Sequence, residues 1–504
     1  MRRMLSLIGL AVAAHAAGAV AALAQPAPVA GDRPNVLVVF TDDQRYDAAG
    51  FTGNAAIYTP HLDRIARQGV VFDNCFVNTS ICAVSRANLM MGQYPARHGV
   101  TDFFQVLDDR QMQAAFPSRL RDAGYYTGLI GKWGIGDSID ATHRAATFFD
   151  YWGGASHQTN YLHEADCRYV AYDGVSRPID DTCDCPADSR GVAGPHVRIG
   201  RDGLQGEVLH VDMDVAPMKA RDFLDARDAH GEGKPFALVV EFKAPHSPFG
   251  DWDLSMEDRY NGLFLPRPPT ATPAVAEAEP DVVKTSLGGP GGRRMVEDAV
   301  RLQQHLQDYY RQVSSMDAGF GKIIDELERR GELDNTVVFF TSDNGFMNGD
   351  HGTVEKWLMY EPSLRVPGFV ADMRSPREHV KRVPQLVTTI DFTASILDAA
   401  GLEVPPDVTG MSFMPALAGE LEDWRDDFYY QQPYTHKGAL PYTTGVRGER
   451  WVYTKYGEAT PVVEQLFDLH ADPMQLDNLI DDPAHAADAE AMRKRYEELK
   501  QQVQ

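Results

Sequence analysis

Two pairs of oxygen-bearing side chains stand where the sequence predicts the ends of buried strands. Asp42 and Asp43 follow the first apolar, β-branched run of the chain, and Asp343 and Asn344 follow a later one. The carboxyl ends of parallel strands meet in one crevice, so we expect these side chains to converge. Carboxylate and amide oxygens are hard ligands that suit Ca²⁺ and, less readily, Mg²⁺. Either pair alone is also typical of a turn or helix cap, so the metal-site prediction depends on both.

A cysteine stands at the start of a predicted helix in the segment 79–95. The free N–H groups and the dipole at a helix N-terminus favour negative charge, so Cys82 suits chemistry on an anion. Arg86 follows one turn later and can hold the surroundings of Cys82 through charge-assisted hydrogen bonds.

Three further side chains are candidates for binding or proton transfer. Lys132 lies in a Gly-Lys-Trp stretch, His246 in a Pro-His-Ser-Pro stretch after a predicted strand, and Lys356 shortly beyond the second acidic pair. A lone lysine or histidine is more often a surface charge or a satisfied cap, so each gains weight only from its neighbours and its order in the chain. His351 is explained equally well by a structural hydrogen bond.

The segment around Cys82 resembles the C-x-P-x-R signature of the sulfatase family, which a helix and a small-residue stop follow. The likeness continues in the expected order from residue 35 to residue 480. It includes the paired aspartates, the Gly-Lys-Trp, Pro-His-Ser-Pro and Ser-Asp-Asn-Gly stretches, and a late Gln-Leu-Phe-Asp-Leu. The resemblance implies an α/β, alkaline-phosphatase-like sulfatase fold, with a central, mostly parallel sheet sandwiched by helices and a smaller C-terminal α+β subdomain.

The resemblance also implies hydrolysis of sulfate monoesters, on a sulfated small molecule and most readily a sulfated saccharide. In this family a formylglycine-generating enzyme oxidises the signature cysteine to formylglycine before export. One hydroxyl of the hydrated aldehyde attacks sulfur, and the other allows collapse back to the aldehyde. The implied catalytic residues are Cys82, Arg86, the sulfate-binding Lys132 and Lys356, and His246 at the leaving oxygen. The implied Ca²⁺ ligands are Asp42, Asp43, Asp343, Asn344 and the residue formed from Cys82.

Two positions depart from the family pattern. Val84 stands where the modification signature has proline, and Gly134 stands where the family has a histidine after Gly-Lys-Trp. Without that histidine, His246 is the clearest acid–base candidate. Two alternatives remain open: a phosphodiester or phosphonate monoester hydrolase on the same scaffold, and an inactive relative that binds sulfated glycans.

Alternating apolar runs and helical patterns predict the elements that position these residues. The predicted strands are 35–41, 70–76, 125–130, 235–242, 336–341 and 366–370. The predicted helices are one between Thr59 and Gly69, then 85–91, 116–123, 303–330 and 388–400. Two tracts, 136–212 and 250–294, are expected to be irregular. Strands 451–456 and 465–469 and helix 486–500 are predicted in the last part of the chain.

The ends of the chain and its charge bear on where it works. Residues 1–24 combine two arginines, an apolar run and an Ala-Leu-Ala cleavage site, which predicts a signal peptide and an exported, periplasmic or secreted protein. We expect a catalytic domain over 25–420 and a subdomain over 421–504, with no later segment apolar enough to span a membrane. The chain has 48 basic and 72 acidic residues, a net charge of −24, which argues against nucleic acid as a partner.

The chain has five cysteines. With Cys82 set aside, Cys75, Cys167, Cys183 and Cys185 could form two disulfides in an oxidising compartment, by any of three pairings. Two alternatives stay open: a local disulfide among Cys167, Cys183 and Cys185, and free thiols in an irregular insertion.

Overall fold

The computed structural model describes residues 33–136, 138–155, 160–164, 208–231, 233–419, 421–436, 439–457 and 462–504. The predicted signal peptide and Cys167, Cys183 and Cys185 lie outside these ranges. Cys75 is a free, buried thiol, so the two-disulfide arrangement lacks one of its four cysteines. Within the described part of the chain, none of the helices combines the length and apolar character needed to cross a bilayer.

Seventeen strands are described. They are β1 Asn35–Asp42, β2 Val70–Phe76, β3 Tyr126–Lys132, β4 Tyr151–Ala155, β5 Leu162–Glu164, β6 Val208–His210, β7 Phe236–Pro245, β8 Thr336–Ser342, β9 Met347–Asn348, β10 Val354–Glu355, β11 Arg365–Val366, β12 Phe369–Asp372, β13 Lys381–Thr388, β14 Asp427–Gln432, β15 Thr443–Gly448, β16 Trp451–Tyr456 and β17 Val463–Asp468.

Fifteen α-helices are described. They are α1 Pro60–Ala66, α2 Cys82–Met91, α3 Pro95–His98, α4 Asp109–Ala114, α5 Phe116–Asp122, α6 Ile139–Ala146, α7 Ala216–His230, α8 Pro273–Ala278, α9 Asp281–Lys284, α10 Gly289–Glu297, α11 Ala299–Arg330, α12 Glu361–Leu364, α13 Thr389–Ala399, α14 Pro415–Ala418 and α15 Ala486–Val503.

The main sheet has nine strands, in the order β11-β2-β12-β8-β1-β7-β3-β4, with β13 beside β2. The pairs at its centre, β8-β1-β7-β3-β4, are parallel, and β11 and β12 run antiparallel to their neighbours. The side chains of β1 alternate between two apolar cores, one beneath α2, α5 and α13 and the other beneath α1, α7 and α11. Because both faces are covered, β1 is continuously apolar from Val36 to Phe40, as is typical of a buried parallel strand. The predicted fold class is confirmed.

Two predicted elements differ from the structure. The predicted strand 366–370 is two short strands, β11 and β12, because Pro367 cannot donate to the ladder and Gly368 packs against the Cys75 side chain. Helix α2 begins at Cys82 and not at residue 85, which puts the cysteine in its first turn. The tracts expected to be irregular contain short helices, including α6, α8 and α10.

The C-terminal four-stranded antiparallel sheet, β14-β15-β16-β17, packs against α15. Arg447 on β15 reaches back to the catalytic part, where its Nε lies 3.0 Å from Glu361 Oε1. Both side chains are largely buried. The sheet and the terminal helix agree with the predicted small subdomain, whose boundary at residue 420 stays a prediction.

We expect Arg447→Ala to lower the free energy of unfolding by about 3 kcal/mol, because it leaves the buried Glu361 carboxylate without its main partner. Arg365, 3.7 Å from Glu361, keeps the loss at the low end for a buried pair. Urea unfolding measures the change. Arg493→Ala, which breaks a partly exposed pair with Glu464, is the control and should cost less than about 1 kcal/mol. An equal loss of unfolding free energy in both variants would contradict a stabilising role for the buried Arg447–Glu361 pair.

Candidate active site

The two acidic pairs meet at the carboxyl ends of β1 and β8. These strands are adjacent and parallel, with Thr41 opposite Ser342, so the residues after them share one edge. The backbone N–H of Asp43 donates to Asp343 Oδ1 at 3.1 Å, and Asn344 Nδ2 donates to Asp43 Oδ1 at 2.6 Å. Asp43 has a φ of 66°, a left-handed conformation that is uncommon outside glycine and turns its carboxylate into the cluster.

Cys82 enters from the other side, in the first turn of α2. Its Sγ lies 3.5 Å from Asp42 Oδ1. The Arg86 guanidinium, fully buried beneath it, donates from Nε and Nη2 to Asp343 Oδ2 at 3.2 and 2.9 Å. Its Nη1 donates to the Lys132 carbonyl at 2.9 Å and also contacts Glu241. Arg86 therefore ties the helix, the acidic cluster and β3 together.

Two lysines lie beside the aspartates of the acidic cluster. Lys132 ends β3, and its Nζ lies 2.5 Å from Asp42 Oδ2. Lys356 follows β10, and its Nζ contacts Asp43 Oδ1. Burial disfavours both ammonium charges, but the adjacent aspartates raise the pKa of each lysine above its usual value. Both lysines therefore stay cationic.

His246 lies just beyond β7. Its Nδ1 is 2.8 Å from the Ser247 carbonyl oxygen, which assigns the proton of the neutral ring to Nδ1. Nε2 then carries the lone pair and lies 3.8 Å from Asp43 Oδ2. Burial lowers the pKa of His246 to about 3, so the ring is neutral without substrate. It must gain a proton at Nε2 before it can act as an acid.

The carboxylates are crowded. Burial alone would raise the pKa of Asp42, yet the Lys132 ammonium and other nearby cations hold it well below its usual value. Burial and the charge of Asp42 raise the pKa of Asp343 to about 7. Burial, reinforced by Asp42, also raises the pKa of the Cys82 thiol to about 12, which favours the neutral thiol.

The donor set fits a hard divalent cation. One oxygen from each of Asp42, Asp43 and Asp343, together with Cys82 Sγ, lie within 4.8 Å of one another. Asn344 Oδ1 is buried beside them and has no hydrogen-bond partner in the described structure. An unpaired buried carbonyl oxygen beside three crowded carboxylates fits a cation site built from oxygen ligands.

A cavity of about 510 Å³ lies at this end of the sheet, and its lining includes Cys82, Lys132, Gly134, His246 and Lys356. Gly134 has a φ of 67°, and a Cβ built there would lie 3.0 Å from Arg86 Cδ and 3.1 Å from Lys132 Cε. A larger side chain at this position would therefore strain the backbone and press on both cations. All nine residues singled out from the sequence lie at this end of the sheet.

One neighbour of the site is absent from the sequence-based prediction. Glu241 on β7 is buried and holds Arg86, and burial raises its pKa to about 7. The available signal was a glutamate inside an otherwise apolar strand, since a buried charge needs a partner. His351 is buried, with Nδ1 2.7 Å from Glu279 Oε1 and its ring stacked on Tyr360, which agrees with a structural role.

Comparison with known proteins agrees with this geometry. The sulfatase family model matches residues 34–402, and a model of the N-sulphoglucosamine sulphohydrolase C-terminal region matches residues 349–502. The chain is 27% identical to an N-acetylglucosamine-6-O-sulfatase of Bacteroides thetaiotaomicron, covering 97% of this chain and 90% of that protein. It is also 27% identical to an arylsulfatase of Clostridium perfringens, covering 92% and 93%.

Solved structures share the fold. One, of a protein in complex with its substrate D-glucosamine-2-N,6-O-disulfate, has a TM-score of 0.70 at 24% identity, covering 94% of this chain and 98% of that one. A phosphonate monoester hydrolase of Agrobacterium radiobacter has a TM-score of 0.70 at 22% identity, covering 94% and 96%. The family model covers most of the sequence, and the chain therefore belongs to the sulfatase family of sulfuric ester hydrolases.

Proposed function

We propose that this enzyme hydrolyses a sulfate monoester carried by a saccharide, using Ca²⁺ and a formylglycine formed from Cys82. One observation carries the proposal: Cys82 and the two lysines line the same cavity, and the buried acidic cluster lies in direct contact with all three. A nucleophile, a cation site and two ammonium groups on one cavity suit attack on a tetrahedral oxyanion. A module that only bound glycans would have no need of this arrangement.

Each polar group has a task in the proposed reaction. When bound by Asp42, Asp43, Asp343 and Asn344, Ca²⁺ supplies charge that polarises the sulfate group. When formed, the hydrated aldehyde supplies one hydroxyl that attacks sulfur and a second that allows the aldehyde to be regenerated.

The chain's own cations and imidazole do the rest. Lys132 and Lys356 bind sulfate oxygens and neutralise charge that develops in the transition state. Arg86 fixes the position of residue 82 relative to Asp343. A bound sulfate ester favours a proton on His246, because an anion stabilises the charged imidazolium, and that proton then goes to the leaving oxygen.

Substrate, maturation and location belong to the same proposal. Relatives named for sulfated glucosamine support a saccharide substrate. The proposed signal peptide over residues 1–24 would export the enzyme to the periplasm or outside the cell, with a formylglycine-generating enzyme as its maturation partner.

The test of the proposed function compares two ester classes. We expect purified enzyme to hydrolyse 4-nitrophenyl sulfate with a higher kcat/KM than 4-nitrophenyl phenylphosphonate, which has the same leaving group. The comparison matters because a phosphonate monoester hydrolase shares this fold. A preference for the phosphonate would favour that rival activity, and no turnover of either ester would favour the inactive relative.

We expect His246→Ala to damage turnover of alkyl sulfates about 10²–10⁴-fold and turnover of 4-nitrophenyl sulfate much less. A poor alkoxide leaving group needs a proton in the transition state, whereas a nitrophenolate hardly does. Lys356→Ala is the matched control, because it acts on the sulfate group that both substrates share and should slow both to similar extents. Measured kcat/KM values decide the matter: equal losses for His246→Ala would remove it from the acid role.

A further inference from the structure

The cavity has two unlike sides. Its floor holds Cys82, Lys132, His246 and Lys356, all of which the proposed reaction uses. The apolar part of the lining, which we call the aromatic wall, consists of Phe103, Trp357 and Tyr434 with Leu287 and Leu440. The proposed chemistry at the floor assigns no task to these apolar side chains. Once the sulfate occupies the floor, the leaving group has to extend into the rest of the cavity that these side chains line.

The three aromatic rings of the wall support one another. Phe103 meets Tyr434 edge-on at 5.3 Å between ring centroids, and meets Trp357 edge-on at 6.1 Å. The Tyr434 hydroxyl lies 2.8 Å from His436 Nδ1, which fixes the outer end of its ring. Edge-to-face contacts and a hydrogen bond give the wall a defined shape, so it can present a face to a ring-shaped ligand.

Two partly exposed apolar side chains lie in or beside the cavity lining. Leu287 lines the cavity and is 47% exposed. Val106, 40% exposed, packs on Gly136, which also lines the cavity. Exposed apolar side chains in and beside a cavity, on a chain with a net charge of −24, are typical of a binding surface.

The charges around the cavity are unevenly placed. Lys132 and Lys356 are the lysines among the described residues that line it, and each is paired with an aspartate at the floor. Glu355, the residue before Lys356, also lines the cavity and has a φ of 78°, which is uncommon for a non-glycine residue. Among the described residues that line the cavity beyond the floor, a second anionic group on a leaving group would meet the Glu355 carboxylate, apolar side chains and the His436 ring, and we expect Glu355 to repel it.

We propose that the leaving group of the substrate is an uncharged ring whose apolar face stacks on the aromatic wall, and that this site rejects polysulfated chains. The inference rests on the proposed function, because it assumes that sulfate occupies the lysine-bearing floor. It narrows the substrate class to singly sulfated, ring-bearing alcohols or phenols, including a sugar ring with no second anion. Apolar contact with the aromatic wall contributes to binding of the ring, and the Glu355 carboxylate disfavours leaving groups that carry a second negative charge.

The experiment compares 4-nitrophenyl sulfate with 3-carboxy-4-nitrophenyl sulfate, which adds one negative charge to the leaving ring. We expect wild type to favour the uncharged ester about 10-fold in kcat/KM, and Glu355→Gln to narrow that preference to about 3-fold or less. Tyr434→Ala and Phe103→Ala should each raise KM for the uncharged ester about 3- to 10-fold. Tyr434→Phe keeps the ring and should restore most of that loss.

Two further readouts separate the outcomes. Phe264→Ala removes a ring that is 83% exposed and does not line the cavity. This variant should leave kcat/KM unchanged for both esters. Inhibition by inorganic sulfate should stay the same in Tyr434→Ala, because sulfate binds the floor. Equal kcat/KM for the two esters, or a preference for the carboxylate, would overturn the inference. If neither ester turned over, the proposed function would be wrong. The inference would then be tested by calorimetry, which should give a lower Kd for 4-nitrophenyl sulfate than for its carboxylated analogue; equal Kd values would overturn it.

Discussion

Replacing Cys82 by alanine is expected to reduce kcat/KM for 4-nitrophenyl sulfate by at least ~10⁴-fold. The substitution removes the precursor of the proposed nucleophile, and no other described hydroxyl or thiol lines the cavity floor beside the lysines. Protein from the natural host should also carry an aldehyde at residue 82, which peptide mass analysis detects. Val84 makes this a demanding test, because proline is the family residue at that position.

Cys75→Ala is the matched control for this prediction. Cys75 is also buried and free, but it lies in β2 with its Sγ 3.7 Å from Thr341 Oγ1, and it does not line the cavity. It should lower stability by about 1–3 kcal/mol and leave kcat/KM near wild type. Active enzyme that keeps a full complement of unmodified Cys82 thiol would disprove the formylglycine assignment.

The sequence was sufficient to predict the sheet and the convergence of the acidic pairs. Strands β1 and β8 are buried on both faces, so their apolar runs are continuous and end sharply at Asp42 and Asp343. In a parallel sheet such ends must share an edge. The pattern therefore contained both the element and the position of its functional residues, and the fold class was confirmed.

Other features depend on contacts between distant segments and could not be read from local pattern. The break between β11 and β12 reflects packing of Gly368 on Cys75 as well as the proline before it. The aromatic wall brings together Phe103, Trp357 and Tyr434 from three separate segments, none of which carries a signal of its own. In the sequence, Glu241 stands out only as a charged residue in an apolar strand. Its contact with Arg86 becomes visible only in the folded structure. The catalytic roles proposed for Cys82, Lys132, His246 and Lys356 stay predictions.

Removal of the proposed metal is expected to have the second large effect. Chelation should abolish turnover, and Asp343→Ala should lower kcat/KM about 10³-fold or more, because Asp343 supplies one of the three carboxylates that, with the unpaired Asn344 Oδ1, form the proposed ligand set. A readout independent of activity is the melting temperature. Ca²⁺ at 100 times its Kd should stabilise the wild-type protein by about 2.7 kcal/mol, whereas Asp343→Ala should respond little at the same concentration.

Asp391→Asn is the control for a buried carboxylate without a role in the metal site. Asp391 accepts from Arg425 Nη2 at 2.6 Å and from the backbone N–H of Thr388 at 2.7 Å, and it does not line the cavity. This variant should lose stability because it breaks a buried ion pair, yet it should keep the full Ca²⁺-induced rise in melting temperature. If Ca²⁺ stabilised Asp343→Ala as strongly as wild type, or if activity survived exhaustive chelation, the cation would lie elsewhere or play no part in the reaction.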